Sequence, residues 1–265
     1  MAQSRKRRIK KALERYPAAV GTIAVVLALG IWALLTSRAT PSSTVISPWD
    51  VLAQVRELAV NGYTGRPLWE HVGASLMRTT AGFVSGSVVG VIVGMAMGHS
   101  PIVSSALAPF FSFVRPIPAI AYIPMVILWF GIGEFSKILL IFIASFLYVA
   151  LNTAAGVRAV PQDLIRVART LGANNARLFF SVILPEALPY VMLGLKVALA
   201  LSWAVVVAAE LVAAQEGLGY MIMDAGTFFR IPDLYVGIAL IGIVGLLLER
   251  ALTAFEARFV HWSGK

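Results

Sequence analysis

Ionisable residues leave this chain in long intervals, and the intervals are the length of membrane crossings. Ala18–Leu35 carries no charge over eighteen residues, enough for a helix to cross a hydrocarbon layer. Thr79–Gly98 is a second such run. Pro116–Phe130 is a third, entered through Arg115-Pro116-Ile117-Pro118 and preceded by an amphipathic segment at Ser104–Val114. Two prolines in three residues do not sit inside a regular helix, so a break is expected between that segment and the crossing. Ile138–Val157 and Ala187–Ala209 follow, the latter with Lys196 in its first half. Leu234–Leu248 is the sixth and shortest, with Ala251–Phe255 extending it past Glu249 and Arg250. The pattern predicts an all-α polytopic membrane protein with six transmembrane helices. Within the second run Gly82, Gly86, Gly90, Gly94 and Gly98 recur every fourth residue, one stripe down one helix face. Such spacing favours close backbone approach by a neighbouring helix, with a hinge as the sharper alternative.

Composition agrees. Of 265 residues 59% are hydrophobic and 13% charged, and the mean hydropathy is +0.83. That is too little polar surface to coat a water-facing globule of this size. Cysteine is absent, so disulfides and thiolate metal sites are excluded, and His71, His99 and His261 are too scattered to suggest a metal cluster. No phosphate-cradling Gly-X-X-X-X-Gly-Lys-Ser/Thr loop occurs, so ATP chemistry cannot reside here.

The net charge is +9, and its location matters more than its sum. Arg5, Lys6, Arg7, Arg8, Lys10 and Lys11 precede the first run. They read as a cytoplasmic topology signal near anionic lipid, rather than as a nucleic-acid arm or the start of a cleaved signal peptide. Six crossings then return the C-terminus, with Arg250, Arg258 and Lys265, to the cytoplasm. Ser37–Met77, Gly131–Lys137 and Glu210–Asp233 fall outside, where acidic residues partly balance the basic ones. The expected location is the cytoplasmic (inner) membrane, multi-pass, with both termini inside.

One inner loop is unusual. Gln162–Leu171 has Leu164, Ile165, Ala168 and Leu171 at helical spacing, with Arg166 and Arg169 opposite. Asp163 sits in the first turn, where a negative charge suits the helix dipole. Gly172 is expected to end this helix through positive φ, and Asn174 to cap a second short one that stops before Pro185 and Pro189.

The chain resembles the inner-membrane permease subunits of ABC importers. Gly172 followed after nine residues by Val182-Ile183-Leu184-Pro185 resembles their EAA loop. The stretches Leu68-Trp69-Glu70-His71 through Ser75 and Arg78, Arg115-Pro116-Ile117-Pro118, Trp129-Phe130-Gly131-Ile132-Gly133-Glu134-Phe135-Ser136-Lys137, Arg169–Ala173, Ala209-Glu210-Leu211 and Gly217-Leu218-Gly219-Tyr220 look like the nitrate, taurine and aliphatic-sulfonate branch. Arg166, Val167 and Val182 depart from the general EAA pattern, which removes any claim for an essential Glu in this loop.

The resemblance implies a MetI-like ABC permease fold. It implies a basic N-terminus at 1–17, a first transmembrane helix at 18–36, and an extracytoplasmic segment with an amphipathic helix at 37–78. The core permease domain is 79–258, containing a cytoplasmic coupling loop at 158–186, and 259–265 is a tail. Implied partners are a second copy of the chain, two cytoplasmic ATPase subunits carrying ATP and Mg, and an extracytoplasmic substrate-binding protein, with no cofactor in the chain itself. The solute expected is a sulfonate such as taurine or an alkanesulfonate, with nitrate, bicarbonate-like anions and pyrimidine precursors as alternatives. An ion-gradient-driven secondary transporter is the rival class, but it would be expected to show internal repeats.

By the same resemblance Asp163, Arg166, Ala168, Arg169, Leu171, Gly172, Ala173, Leu184 and Pro185 would couple to the ATPase, with Ala168, Leu171 and Ala173 as packed contacts. Arg78, Arg115, Pro116, Pro118, Tyr122, Trp203 and Glu210 would line or gate the pathway. Gly217, Leu218, Gly219 and Tyr220 would meet the binding protein in a loop that dips into the outer mouth. Glu210 reads as a partner for Arg78 or as a helix-end carboxylate reaching the interface; Arg78 is alternatively an attractor for anions. Lys196 is expected to snorkel, and Arg115 to snorkel or close the inner end.

Overall fold

The computed structural model describes residues 17–38, 45–260 and 262. The basic run at Arg5–Lys11 and the terminal Lys265 lie outside the described residues. Regular structure among the described residues is helical, apart from one antiparallel bridge between Tyr63 and Arg66. The elements are α1 (Pro17–Arg38), α2 (Pro48–Asn61), α3 (Leu68–His99), α4 (Pro101–Val114), a 3-10 turn (Ala119–Tyr122), α5 (Ile123–Phe130) and α6 (Glu134–Ala159). There follow α7 (Gln162–Thr170), α8 (Asn175–Leu178), a π turn (Phe179–Ile183), α9 (Leu184–Ala213), α10 (Leu218–Thr227) and α11 (Ile231–Phe259).

Four helical stretches are long and apolar enough to cross a membrane: Leu68–His99, Glu134–Ala159, Asn175–Val212 and Ile231–Phe259. The break expected between the amphipathic segment and the third run is present: α4 and the Ala119–Phe130 stretch meet at 85° and together form a bent fifth crossing. The cause is Arg115-Pro116-Ile117-Pro118: Pro116 and Pro118 supply no N–H, so the helical ladder stops there although Arg115 is itself still helical. The first, α1, has a shorter apolar stretch at Gly21–Thr36, compatible with a sixth crossing.

Most helices outrun their charge-free runs. α3 begins at Leu68 and α11 continues through Glu249 and Arg250 to Phe259. Charge marks where lipid contact ends; it does not end a helix whose polar residues face protein or water.

α6 is the centre of the bundle. Ile141, Val149 and Ala150 are fully buried, with α3 on one side and α9 on the other. α3 and α6 run parallel, joined through the glycine stripe. A Cβ on Gly86 would lie 2.6 Å from the Phe142 carbonyl oxygen, and one on Gly94 would lie 2.5 Å from that of Ala150. The stripe is therefore a packing seam. α9 runs antiparallel to α6, with the Ser145 and Ser202 hydroxyls 2.7 Å apart across the contact. α10 and α11 close the bundle, and α2 is pinned to α11 where Gln54 donates to Asp233 at 2.7 Å.

The second short helix expected in the Gly172 loop is not separate. α8 runs through the π turn into α9 as one rod from Asn175. Pro185 does not break it. In α geometry its ring would press on the Ser181 carbonyl. The π turn lies over that carbonyl, with Leu184 N–H donating to Phe179 O.

Candidate functional site

His71, Ser75 and Arg78 lie at i, i+4 and i+7 on α3, and therefore on one face. All three are buried. That face meets the end of α9, the start of α6 and the irregular segment before α10. Arg78 is at the centre. Its Nε donates to Glu134 Oε2 at 2.5 Å and its Nη2 to Glu134 Oε1 at 2.9 Å, a bidentate pair. Its Nη1 donates to Glu210 Oε1 at 2.7 Å and to the Glu216 carbonyl at 2.9 Å. The last donor reaches Glu216 Oε1 at 3.4 Å. Five donors thus have five acceptors, and none remains for an anion; the anion-attractor reading of Arg78 is corrected.

Glu210 is 1% exposed and does not reach the interface. Besides Arg78, its carboxylate accepts from Ser75 Oγ at 2.9 and 2.8 Å and from Gly219 N–H at 2.9 Å. Lys137 Nζ adds a bond to Glu134 at 2.7 Å. Two glycines permit this closeness. Gly217 has φ +119°, and a Cβ there would lie 2.4 Å from Glu210 Cδ. A Cβ on Gly219 would lie 2.5 Å from the Val207 carbonyl.

The docking expectation for this segment needs correction. Gly217, Leu218 and Gly219 are buried and hold the chain against Glu210, while Tyr220 stacks on His71 with centroids 6.1 Å apart. From Leu218 the backbone is already helical. Outward-facing groups at this end are instead Trp69, Met223 and Phe228. Nearby, Tyr63 donates to Asp224 Oδ2 at 2.7 Å. Burial first, and then that carboxylate, hold its hydroxyl above the usual phenol range.

The other pathway residues do not join this cluster. Arg115, Pro116, Pro118 and Tyr122 line a cavity of about 280 Å³ with Tyr148 and Val205. Trp203 faces away from it, toward α11: its Nε1 donates to Ile241 O at 3.1 Å, and its ring covers Gly245. It also lines a separate cavity of about 340 Å³ with Lys196, Leu199 and Leu252. Lys196 does not snorkel alone; it is ion-paired with Glu256 of α11.

At the Gly172 end, α7 stops in a Schellman motif. Ala173 N–H donates to Ala168 O and Gly172 N–H to Arg169 O, both at 3.0 Å, with Gly172 at φ +81°. Asn174 Oδ1 accepts from Arg177 N–H at 2.8 Å, capping α8 as expected. Ile165, Ala168 and Leu184 pack against their own chain, on the core around Leu178 and Ile183. Ala168 thus faces inward, and Ala173 is half-buried. Leu164, Val167 and Leu171 form an exposed apolar ridge instead, Leu171 being 80% exposed. Asp163 and Arg166 are largely exposed, 3.7 Å apart. Arg169 is exposed and Pro185 half-buried.

Sequence reasoning assigned no role to His71, Ser75, Glu134, Lys137 or Glu216. The available signal was the 71/75/78 spacing, which puts three polar residues on one face of the first turns of α3.

Comparisons with known proteins give the same architecture. The family model for the binding-protein-dependent transport system inner membrane component matches residues 86–261. The taurine transport system permease protein TauC of Escherichia coli (strain K12) is 41% identical over 247 residues, covering 93% of this chain and 90% of that protein. The nitrate import permease protein NrtB of Synechocystis is 35% identical over 243 residues, covering 90% of this chain and 88% of that protein. The putative aliphatic sulfonates transport permease protein SsuC of Bacillus subtilis (strain 168) is 34% identical over 256 residues, covering 96% and 91%.

Among solved structures, an amino acid ABC transporter aligns with TM-score 0.61 and 18% identity, over 78% of this chain and 98% of that one. The inward-facing MetNI methionine ABC transporter aligns with TM-score 0.58 and 22% identity, over 76% and 96%. At those identities the likeness speaks for the fold, which is that of MetI-like ABC permeases. With the family model spanning α3 to α11 and relatives alike over nine-tenths of their length, the chain belongs to the binding-protein-dependent transport system inner membrane component family, the permease subunits of ABC importers.

Proposed function

We propose that this permease imports a sulfonate, taurine or a small alkanesulfonate. The observation that carries the reading is the 41% identity to a taurine permease, spread over 93% of the chain. In a host lacking its own sulfonate and nitrate uptake, the chain with its cognate ATPase and binding protein is expected to accumulate labelled taurine at the expense of ATP. Nitrate accumulation without taurine would select the second reading, which the 35% identical nitrate permease supports.

In this reading two copies of the chain form the pathway and two ATPase subunits, holding ATP and Mg, sit at the Gly172 end in the cytoplasm. Both termini face the same side, and the 37–78 segment lies opposite. The binding protein docks at the Arg78 end, on exposed groups such as Trp69 and Phe228. The Arg78 cluster joins α3, α6, α9 and the α10 approach, so it serves as the outer gate's fixed point. The ATPase seat is the ridge Leu164, Val167 and Leu171, with Arg166 and Arg169 at its rim. An apolar ridge of this kind suits a groove in a partner.

Gly172→Val tests the seat. No neighbour lies within 4 Å of a Cβ there, so the effect is backbone strain alone. A β-branched residue at φ +81° costs about 1–2 kcal/mol. The strain redirects α7 while the bundle stays intact. The purified complex is expected to lose ATPase subunits, or to hydrolyse ATP without uptake, at normal membrane insertion. Parent values for subunit retention, turnover and uptake would reject the seat.

A further inference from the structure

A cavity of about 360 Å³ lies beside the 280 Å³ one at Tyr122 and shares Arg115 as its wall. Its polar lining is Ser104 and Ser112 of α4, Arg115, and Arg158 near the end of α6. No Asp or Glu lines it, and the sequence has none from Glu70 to Glu134 or from Glu134 to Asp163. The three helices around it are therefore free of carboxylate over the parts that face it. Arg158 Nη2 donates to Ser104 Oγ at 2.7 Å and to Met97 O at 3.3 Å, leaving the Ser104 hydroxyl proton to be given elsewhere. Among the described residues, neither the Arg115 guanidinium nor the Ser112 hydroxyl has a hydrogen-bond partner, and neither arginine has an ion-pair partner.

Among the described residues, the buried and half-buried cations of the bundle are paired, while exposed Arg56, Arg177, Arg250 and Arg258 share the lack of an ion pair. Arg78, Lys137 and Lys196 all have carboxylates. Arg115, Arg158 and Ser112 are exposed, so the five unclaimed donors of Arg115 face water or an anion. Guanidinium forks match tetrahedral oxyanions, and serine hydroxyls complete such a shell. The volume falls in the range of small-ligand sites, roughly 300–1,000 Å³.

We propose that Arg115, Arg158, Ser104 and Ser112 form a binding site for a tetrahedral oxyanion: a sulfonate, sulfate or phosphate group. Arg115, shared with the cavity at Tyr122, passes the anion between the two. The role in passage rests on the sulfonate reading; the site itself does not. Two sources carry this chemistry, a free anion from the aqueous phase and the phosphate of a bilayer lipid, and the test separates them.

The permease is reconstituted with its ATPase subunits in phosphatidylcholine nanodiscs, and trifluoromethanesulfonate is titrated by fluorine NMR. Saturable broadening is expected, about tenfold weaker in Arg115→Gln and in Arg158→Gln. Ser104→Ala with Ser112→Ala keeps both charges and is expected to weaken binding about threefold. If phosphatidylglycerol in the nanodisc displaces the probe, and native mass spectrometry finds that lipid retained by the parent and lost from both arginine variants, the resident oxyanion comes from the bilayer. If it does not displace the probe, the resident comes from the aqueous phase. Should the arginine variants fail to assemble, the double serine variant decides, and unchanged affinity there overturns the site. Absence of both probe binding and lipid retention, or binding indifferent to both arginines, also overturns it. A permease that imports taurine yet binds the probe independently of Arg115 and Arg158 loses this site alone. One that binds through them but imports nitrate loses only the sulfonate reading.

Discussion

Arg78→Ala is expected to leave almost no folded permease in the membrane. The guanidinium is 1% exposed and holds Glu134, Glu210 and Glu216 together. Removing it strands the Glu210 carboxylate, whose side chain has no solvent exposure, without a counter-charge. Breaking a buried ion pair by deleting one partner costs about 3–5 kcal/mol. That is a large share of the roughly 5–15 kcal/mol that separates folded from unfolded protein. Thermal unfolding in detergent reads it directly, as a much lower midpoint or loss of the monodisperse peak. Glu210→Gln retains hydrogen-bonding atoms for Ser75 and Gly219 and is expected to cost less than Glu210→Ala. Because Glu210 is buried, Glu210→Ala is expected to impair assembly and not transport alone. An Arg78→Ala protein melting with the parent would show that the cluster carries no stability.

The second large effect belongs to the α3–α6 seam. Gly94→Ala sets a methyl 2.5 Å from the Ala150 carbonyl oxygen, a backbone atom that cannot swing aside. Overpacking of this kind costs about 1–3 kcal/mol. Combining it with Gly86→Ala, which meets Phe142 O at 2.6 Å, is expected to part the two helices. Gly73→Ala is the control. It lies on the same helix with nothing within 4 Å of its Cβ, and alanine's better helix propensity makes it neutral or slightly stabilising, by up to about 1 kcal/mol. Size-exclusion profiles of the three proteins separate seam packing from generic glycine loss. If the double variant elutes and melts like the control, the seam is not tight.

The sequence made the seam legible because a four-residue glycine period has a single geometric meaning on a helix. The bend at Arg115-Pro116-Ile117-Pro118 was legible for a similar reason, since proline acts locally. What it hid was reciprocal. Glu134 and Arg78 are 56 positions apart, and Glu216 is 138 from Arg78, so no local pattern joins them. The Gly217-Leu218-Gly219 stretch looked like a loop because glycine marks both open turns and tight contacts. Only its neighbours distinguish the two, and here they are Glu210 and Val207. Trp203 is both a cavity wall and a contact with α11, and an aromatic ring in a crossing helix does not say in the sequence which cavity it lines. Ala168 was placed on the wrong side of α7. Helical spacing names a face but not what covers it, and α7 carries apolar residues on two adjacent strips.

The π turn at Phe179–Ile183 means that the rod from Asn175 to Val212 contains one residue more than its α-helical path requires. Each α-helical residue turns the chain by about 100°. A bulge of this kind absorbs that residue, so the stub α8 keeps the bearing on the long helix α9 that an unbroken α-helix one residue shorter would give. The Schellman turn at Gly172 joins α7 to that stub, so the ridge Leu164, Val167 and Leu171 is aimed through the rod. Deleting one residue between Phe179 and Ile183 would restore unbroken α pitch and leave the ridge facing the same way. The same deletion in the regular part of α9 would turn the ridge by about a quarter of a revolution. The π turn is therefore the place along this joint where the chain can lose a residue without a change of bearing.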